Sequence, residues 1–521
     1  MKKLKIYIVL ASVGLVSTQC SDNFLDVANP NQIDEKNFFT KMQDLELALT
    51  AVYSAQTTRE LYGRDFVPKA LYGLAHTADQ EWIADNAWNQ LYQNNVTPEN
   101  GLVRDFWRSW YRIIARANDF LTQSDQFAAG TELSEEEQER VSQMKGEAHF
   151  QRGLAYFHLI RLWGEDSPAR NGSTRGVPLI LEVPETREDM FVPRASVAEV
   201  YQQIVNDFKE AEQRLPDSWS GENIARVDRY AAKGFLGKTY LYQENWEMAR
   251  GYFEEVISSG AFSLEPYDAY DALFRGTNEF SPESLYELNF SVDMQERAGG
   301  TGTLTSLVMA PKGSGWSNVY PHDKNVQRFG DDPRLRIAAL EPGVDSVFDN
   351  KGAKIPLQVY VGDDGALGWS FRKYVPLDHS VYSTNLTHGA NLIMMRLADV
   401  YLMYAEVLQA QGNDVEALEY MNKVRRRAHG FSPDTPEPSA DLMGLSGIQL
   451  RDAIREERFL ELFAEGHRWY DLQRWGIVED ELAAYGKVRS GTINYAPRDN
   501  YLPIPQQELE ANDQLEQSEG Y

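Results

Sequence analysis

Two segments of this 521-residue chain repeat one helical spacing of small and large apolar residues, and this repeat constrains the fold more than any other feature. In the stretch 231–260 the repeated positions hold Leu236, Gly237, Tyr240, Ala249, Phe253 and Val256. The stretch 396–428 keeps every one of those intervals, with Tyr404, Ala405, Leu408, Ala417, Met421 and Val424. In each stretch the first three residues share one helix face and the last three share a face of the next helix. Each stretch is therefore predicted to be a hairpin of two antiparallel helices.

The spacing matches the tetratricopeptide pattern, in which small residues let two helices approach and larger residues fill the gap. Apolar residues also recur at intervals of three and four in much of the remaining chain, and strands look few and short. The sequence predicts a mostly α fold built on tetratricopeptide-like helical pairs. A less regular, loop-rich region is expected at about residues 261–390, where Gly, Pro, Asn and Asp are frequent.

Two further segments, 148–164 and 451–476, combine an apolar and aromatic face with charged residues along one edge. Both are predicted to be core helices, and Gly164 is expected to end the first of them. His158 and His467 lie within these segments. We expect both to be packed or hydrogen-bonded core histidines rather than metal ligands or bases.

The N-terminus is typical of a secretory signal peptide. Three lysines stand among the first five residues, and the apolar run 6–16 that follows is too short to span a bilayer. The next landmark is Cys20, the only cysteine of the chain. We predict that 1–19 is removed and that Cys20 is lipidated as the first residue of the mature domain 20–521. The alternative is a buried free thiol beyond an ordinary signal.

Charge and motifs exclude several classes of function. The formal net charge of −27 repels phosphate backbones, so nucleic acid is not an expected partner. No long apolar run follows the leader, which leaves a lipid chain as the expected membrane attachment. With 78 Asp and Glu residues some carboxylate pair always lies at a catalytic separation, so such a pair carries no signal. No HExxH, GxSxG, GxGxxG or P-loop motif is present, and we expect neither catalysis, cofactor nor metal.

Six segments together resemble one known family, and they occur in that family's order. They are FWRSWYRIIARAND at 106–119, AHFQRGLAYFHLIRLWG at 148–164, AAKGFLGKTYLY at 231–242, MRLADVYLMYAEVLQAQG at 395–412, RDAIREERFLELFAEGHRWYDLQRWG at 451–476 and YLPIPQQEL at 501–509. On these motifs the chain resembles the SusD/RagB family of Bacteroidetes outer-membrane nutrient-binding lipoproteins. The resemblance implies a lipid-anchored protein on the cell surface that captures a polysaccharide or oligosaccharide and delivers it to a TonB-dependent SusC-like transporter. It does not require catalysis.

Two other functions remain open at this point. Some members of the family bind peptides, so a peptide-cargo binder of the RagB type is one alternative. The repeats alone would also suit a tetratricopeptide protein-interaction scaffold, whose partner would bind the concave helical face.

A sugar ring presents an apolar face and a rim of hydroxyls, which calls for an exposed aromatic ring beside short polar side chains. The segment DQEWIADNAWNQLY at 79–92 offers that combination. We expect Trp82 and Trp88 to stack on sugar faces, with one or both in the core as the alternative. The polar residues expected to bind hydroxyl groups are Asp79, Asn89 and Gln90.

Two later loops also carry aromatic residues. The first, PKGSGWSNVYPHD at 311–323, places Trp316 and Tyr320 in a Gly- and Ser-rich setting, so both are predicted to be exposed and ligand-binding. The second, at 361–374, holds Trp369, Phe371 and Arg372. For this second loop a short pair of strands is at least as good an interpretation as a binding surface.

Overall fold

The computed structural model describes residues 39–80, 83–291, 302–349, 351–357, 368–375, 377, 388–483, 485, 487–488 and 491–521. The predicted signal peptide and Cys20 lie outside these ranges. The described residues of Glu46–Tyr521 belong to one compact unit. No helix within the described ranges is both long and apolar enough to cross a bilayer.

Helices dominate the described chain. In order they are Met42–Ser54 (α1), Tyr72–Leu74 (α2), Asn86–Tyr92 (α3), Gly101–Gly130 (α4), Glu135–Trp163 (α5), Pro168–Asn171 (α6), Val197–Arg214 (α7), Arg229–Tyr242 (α8), Trp246–Ser258 (α9), Tyr267–Tyr270 (α10), Thr305–Met309 (α11), Asp323–Phe329 (α12), Leu335–Ala338 (α13), Leu397–Ala410 (α14), Asp414–Ala428 (α15), Gly447–Leu462 (α16), Arg468–Trp475 (α17), Val478–Ala483 (α18) and Gln506–Ala511 (α19). A π-helix spans Phe66–Leu71, and 3₁₀ turns span Glu188–Met190, Gly221–Asn223, Asp271–Phe274 and Pro497–Asn500.

The strands are short, as expected, and pair only as two-stranded antiparallel ladders within the described ranges. They are Ala78–Gln80 (β1), Arg175–Pro178 (β2), Arg194–Ser196 (β3), Ser284–Leu288 (β4), Val319–Pro321 (β5), Ala339–Leu340 (β6), Ser346–Phe348 (β7), Lys354–Pro356 (β8), Ser370–Phe371 (β9), Leu392–Arg396 (β10), Lys487–Val488 (β11) and Gly491–Thr492 (β12). The pairs are β1 with β5, β2 with β3, β4 with β10, β6 with β9, β7 with β8, and β11 with β12.

Both predicted hairpins are present. Helices α8 and α9 form the first and α14 and α15 the second, and all twelve repeated residues are buried. Helix packing runs in one series from α4 through α5, α7, α8 and α9 to α14, α15 and α16, so the second hairpin packs on the first despite the long insertion between them. This helical scaffold carries the loops of the region 261–390.

The approach of α8 to α9 depends on Gly237. A Cβ atom on Gly237 would lie 2.6 Å from Cε1 of Phe253. This clash could be relieved only if the packed phenylalanine ring moved. Gly251, on the facing helix of the same hairpin, has no atom within 4 Å of the position that a Cβ atom would take. Gly237 is thus a packing requirement, whereas Gly251 only lowers helix propensity.

This contrast predicts opposite effects for one chemical change. Gly237→Ala should destabilise the protein by about 1 to 3 kcal/mol through overpacking. Gly251→Ala should stabilise it by about 1 kcal/mol, because alanine favours a helix interior more than glycine does. Urea unfolding of both variants measures the difference, and equal stabilities would contradict the close-packing argument.

The segment 451–476 is not one helix, and that prediction was wrong. Helix α16 ends at Leu462 and α17 begins at Arg468. Between them Ala464 and Gly466 adopt positive φ angles of 62° and 81°. The carbonyl of Ala464 accepts a hydrogen bond of 2.6 Å from the Tyr72 hydroxyl, a tertiary contact that the local pattern does not contain. The other predicted helix, 148–164, is confirmed as the second half of α5, which ends before Gly164.

A buried network of charges joins the C-terminal elements. Glu461 of α16 accepts from Arg396 at 2.6 Å and from Arg334 at 3.2 Å, and it also pairs with Arg427. The network continues through three further pairs: Arg427 with Glu283 at 2.7 Å, Arg396 with Glu465 at 2.6 Å, and Lys373 with Glu465 at 2.7 Å. All of these side chains are at most 1 % exposed. The network therefore ties α16 to β10, α15 and the segment before β4.

Candidate ligand-binding surface

The ladder of β1 and β5 brings two of the predicted loops together. Ala78 pairs with Pro321, Asp79 with Tyr320, and Gln80 with Val319. Because the strands are antiparallel, the end of β1 and the start of β5 lie at the same end of the ladder. The loop that follows Gln80 and the loop that precedes Val319 therefore leave the ladder side by side.

Trp316 offers an exposed aromatic ring in the loop before β5. Its residue is 45 % exposed, although its backbone is held: the Trp316 amide donates to Leu307 O at 2.8 Å. The next residue, Ser317, has a positive φ of 53°, and its amide donates to Ala310 O at 2.9 Å. The predicted exposure of Trp316 is confirmed. A fixed backbone under a free ring is the arrangement expected of a stacking residue, since little conformational entropy remains to be lost on binding.

Hydrogen bonds also close the loop that follows β1. The Asn89 side chain donates from Nδ2 to Ile83 O at 2.8 Å and accepts at Oδ1 from Gln80 Nε2 at 2.6 Å. Asp85 caps helix α3 by accepting from the Trp88 amide at 3.2 Å. A primary amide has two donors and two acceptor sites. Half-buried Asn89 therefore shapes the loop and keeps further hydrogen-bonding capacity for a ligand, beside the 54 % exposed Ile83.

Three residues expected at the surface are buried instead, which corrects those predictions. Trp88 is only 2 % exposed, with the Lys69 ammonium 4.8 Å from its ring centroid. A covered ring cannot stack on a sugar. Tyr320 and Asp79, 9 % and 4 % exposed, face each other across the ladder. Asp79 and Tyr320 lie in short strands that the sequence pattern did not indicate, and these strands point both side chains inward.

Gln90 also has a structural role. Its side-chain oxygen accepts from Asn100 Nδ2 at 2.7 Å and from the Thr97 amide at 3.3 Å, which joins α3 to the start of α4. The remaining predicted stacking residue, Trp82, lies outside the described residues. Of the predicted set, Trp316 is exposed and Asn89 is half-buried, and the two lie on the segments that leave the β1–β5 ladder at the same end.

Within the third aromatic loop only 368–374 are described, and these residues contain a short strand whose partner lies outside the loop. Phe371 lies in β9 opposite β6 and is fully buried, with its ring centroid 5.2 Å from that of Tyr72. Arg372 pairs with Asp271 at 2.9 Å. Strand pairing thus accounts for the burial of Phe371, and an ion pair engages Arg372.

His158 is confirmed as a core histidine. Its ring stacks on Trp110 at 4.4 Å between centroids with an interplanar angle of 8°, and its Nε2 lies 3.0 Å from the Tyr62 hydroxyl. His467 is partly buried, with Nδ1 3.5 Å from Lys238 Nζ. Among the described residues no group of three or more His, Cys, Asp or Glu side chains is arranged to hold a metal ion.

His76 links the β1–β5 ladder to neighbouring elements through hydrogen bonds with Asn94 and Asn325. It lies two residues before β1, is fully buried, and places Nε2 2.7 Å from Asn94 Oδ1. Its carbonyl accepts from Asn325 Nδ2 at 2.7 Å, which fixes α12 after β5. Burial lowers the pKa of His76 from 6.5 to about 4, although the bond to Asn94 opposes this shift. The neutral imidazole is therefore the form that the fold requires.

This shift predicts an acid-dependent loss of stability. Between pH 6.5 and 4 the unfolded state binds a proton at His76 that the folded state does not, so the stabilisation is complete above pH 6.5 and is lost as pH falls. The shift corresponds to about 3 kcal/mol. Urea unfolding from pH 7.5 to 4 should show the wild type losing about that much more than His76→Gln, which keeps an amide for Asn94. Parallel pH profiles would contradict the prediction.

Comparison with known proteins places the chain in a family. One family model, described as the SusD family, matches residues 282–521. A second, described as starch-binding associating with outer membrane, matches residues 23–241. Together the two models account for most of the chain, which belongs to the SusD/RagB family. Membership agrees with the expectation that the chain is not an enzyme.

Individual relatives match over their whole length. SusD-like protein P25 of Formosa agariphila is 28 % identical over 549 residues, covering 99 % of each chain. A solved laminarin-binding SusD-like protein is 27 % identical with a TM-score of 0.73, covering 92 % of this chain and 99 % of that one. A SusD homolog from Bacteroides thetaiotaomicron, 23 % identical, shares the fold with a TM-score of 0.78 over 94 % of this chain and 99 % of that one. These likenesses confirm the predicted fold class.

Proposed function

We propose that this protein binds a neutral polysaccharide or oligosaccharide at the cell surface and delivers it to a TonB-dependent SusC-like transporter in the outer membrane. Attachment through a lipid on Cys20 is part of the proposal. The observation that carries it is the exposed Trp316 ring on a fixed backbone, beside the loop that Asn89 closes.

The chemistry of this surface suits a sugar. An indole face covers the CH groups of a pyranose ring, while amide groups at its edge exchange hydrogen bonds with hydroxyls. Ile83 adds exposed apolar area next to Asn89. Trp82 stays a predicted second stacking residue on the same loop, two positions beyond Gln80. Two aromatic residues on adjacent loops would hold successive sugars of a chain.

The relatives support the same class of ligand. The laminarin-binding SusD-like protein aligns along its whole length, and the second family model is described by starch binding and association with the outer membrane. Laminarin and starch are both neutral glucans. A neutral ligand also agrees with a protein of net charge −27, which would repel a polyanionic one.

The test is calorimetry or affinity electrophoresis of the mature chain against neutral and acidic polysaccharides at two salt concentrations. We expect binding to a neutral glycan with little dependence on salt. A steep salt dependence, or binding only to acidic glycans, would contradict the neutral ligand. Binding of peptides and of no glycan would favour the RagB-type alternative. Delivery is tested in cells, where loss of the chain should slow growth on the bound glycan at limiting concentration.

A further inference from the structure

A groove unrelated to the Trp316 loop lies on another part of the protein. It is a groove of about 530 Å³ between α4, the segment 178–192 and the C-terminal stretch 508–515. This volume lies within the range of protein ligand sites. Neither Trp316, Asn89 nor Ile83 lines this groove.

The groove is held open by hydrogen bonds between its own walls. They run from Tyr111 Oη to Pro178 O at 2.9 Å, from Asn118 Nδ2 to Ile180 O at 2.9 Å, from Asn512 Nδ2 to Val192 O at 3.1 Å, and from Arg108 Nε to Glu508 Oε1 at 2.8 Å. These bonds use the polar side chains of the walls to join the three elements. The groove is therefore preformed, and a ligand need not order it.

Most of the accessible surface inside the groove is apolar. The lining includes Trp107, Ile114, Ala115, Phe191 and Leu515. Met190 and Val183, at the open side, are 58 % and 41 % exposed. Trp107 and Ile114 form the buried floor, while Val183, Met190 and Ala115 are exposed. Exposed apolar surface beside a cavity marks an interaction site.

The two chain segments that border the groove are rich in acidic residues, of which Glu182 and Glu508 line the groove itself. The segment 182–189 carries Glu182, Glu185, Glu188 and Asp189 against one arginine, Arg187. The stretch 508–516 carries Glu508, Glu510, Asp513 and Glu516 and no basic residue. Arg108 and Arg175 pair with Glu508 and Glu516, and the two bordering segments still keep an excess of acidic over basic residues, with Glu182 on the groove. An occupant should accordingly be apolar at its centre and positively charged at its edges.

We propose that this groove binds a basic amphipathic segment of a partner polypeptide, with apolar side chains in the groove and Lys or Arg side chains at the rim. Apolar anchors at helical spacing on a charged peptide are the usual ligands of such grooves. This site goes beyond glycan binding and does not depend on it. It gives the protein a docking surface that stays available while a glycan occupies the Trp316 surface.

The test uses a labelled synthetic helix of about 14 residues, with Leu at i, i+3, i+4 and i+7 and Lys and Ala elsewhere. Its binding to the mature chain is measured by fluorescence anisotropy. A peptide of identical composition in scrambled order controls for nonspecific attraction to an acidic protein. Ala115→Trp fills the groove from an exposed position on α4, and Ala128→Trp places the same ring at an exposed position of α4 that does not line the groove.

We expect Ala115→Trp to weaken binding at least tenfold, which is about 1.4 kcal/mol, and Ala128→Trp to change it less than twofold. Glu182→Lys should weaken binding and reduce its dependence on salt. Equal binding of the scrambled peptide, or full binding by Ala115→Trp, would overturn the proposal. A protein dimer that Ala115→Trp dissociates would assign the groove to a second copy instead. Glycan affinity of Ala115→Trp should stay at the wild-type value, which separates this test from that of the proposed function.

Discussion

Replacing Glu461 with alanine is expected to destabilise the protein by about 3 to 5 kcal/mol, the usual cost of removing one partner from a buried ion pair. Glu461 is fully buried, and its carboxylate serves Arg334, Arg396 and Arg427. Without it, those guanidinium groups keep their charge in a region that water does not reach. Chemical denaturation measures the loss.

A second substitution separates charge from packing. Glu461→Gln keeps the side-chain shape but removes the charge and points donors at guanidinium donors, so it should cost nearly as much as Glu461→Ala. The matched control is Glu456→Gln on the same helix. Glu456 pairs with Arg328 at 2.5 Å, but its side chain is 39 % exposed, so the control should cost at most about 1 kcal/mol. Equal losses at both positions would show that burial of the network carries no special weight.

The same network predicts sensitivity to acid. Burial opposes ionisation of Glu461, but the charges of Arg427, Arg396 and Arg334 outweigh it and hold the pKa of this carboxyl well below its ordinary value of 4.5. A depressed carboxyl pKa contributes stability that is complete above the ordinary value and is lost as pH falls below it. The buried network therefore adds to the acid-dependent loss that His76 begins at higher pH.

The helical scaffold could be predicted from the sequence because its signal is local and repeated. The intervals around Gly237 and Ala405 follow directly from helix geometry and from the close approach of two helices. The break between α16 and α17 could not be predicted, because the hydrogen bond from Tyr72 to Ala464 joins residues far apart in the chain. The partners of Glu461 were equally hidden, since charged residues on an amphipathic helix normally face water.

The candidate site shows the same division. Composition identified the loop of Trp316, where no helical pattern could bury the ring. The same argument wrongly predicted that Tyr320, four residues later, is exposed. Tyr320 lies in a three-residue strand, which points its side chain inward and is too short to give a clear alternation in the sequence. The prediction for Trp88 was wrong because Trp88 lies on the buried face of helix α3, with its ring beneath the Lys69 ammonium. An aromatic residue in a polar segment is thus informative about exposure only where no neighbouring strand or helix covers it.

Trp316 and Trp88 should respond in opposite ways to the same truncation, which makes them the sharpest test of the site. Trp88→Ala removes a ring that is 2 % exposed and should cost about 3 to 5 kcal/mol of stability. Trp316→Ala removes a ring that is 45 % exposed and should cost only about 1 kcal/mol of stability, because about half of its apolar surface already faces water. The glycan affinity of Trp316→Ala should fall at least about tenfold, as expected when a central aromatic contact is lost.

Two further variants decide how that fall is interpreted. Trp316→Phe keeps a smaller aromatic face and should retain part of the affinity, because stacking depends on ring area and not on the indole N–H. Phe431→Ala removes a ring of similar exposure, 41 %, from the segment after α15, and should leave affinity unchanged. If Trp316→Ala binds the glycan as the wild type does, the ligand surface lies elsewhere. A specific binding surface should distinguish two rings of similar exposure. If Phe431→Ala weakens glycan binding as much as Trp316→Ala does, binding therefore depends on exposed aromatic area in general and not on a site at Trp316.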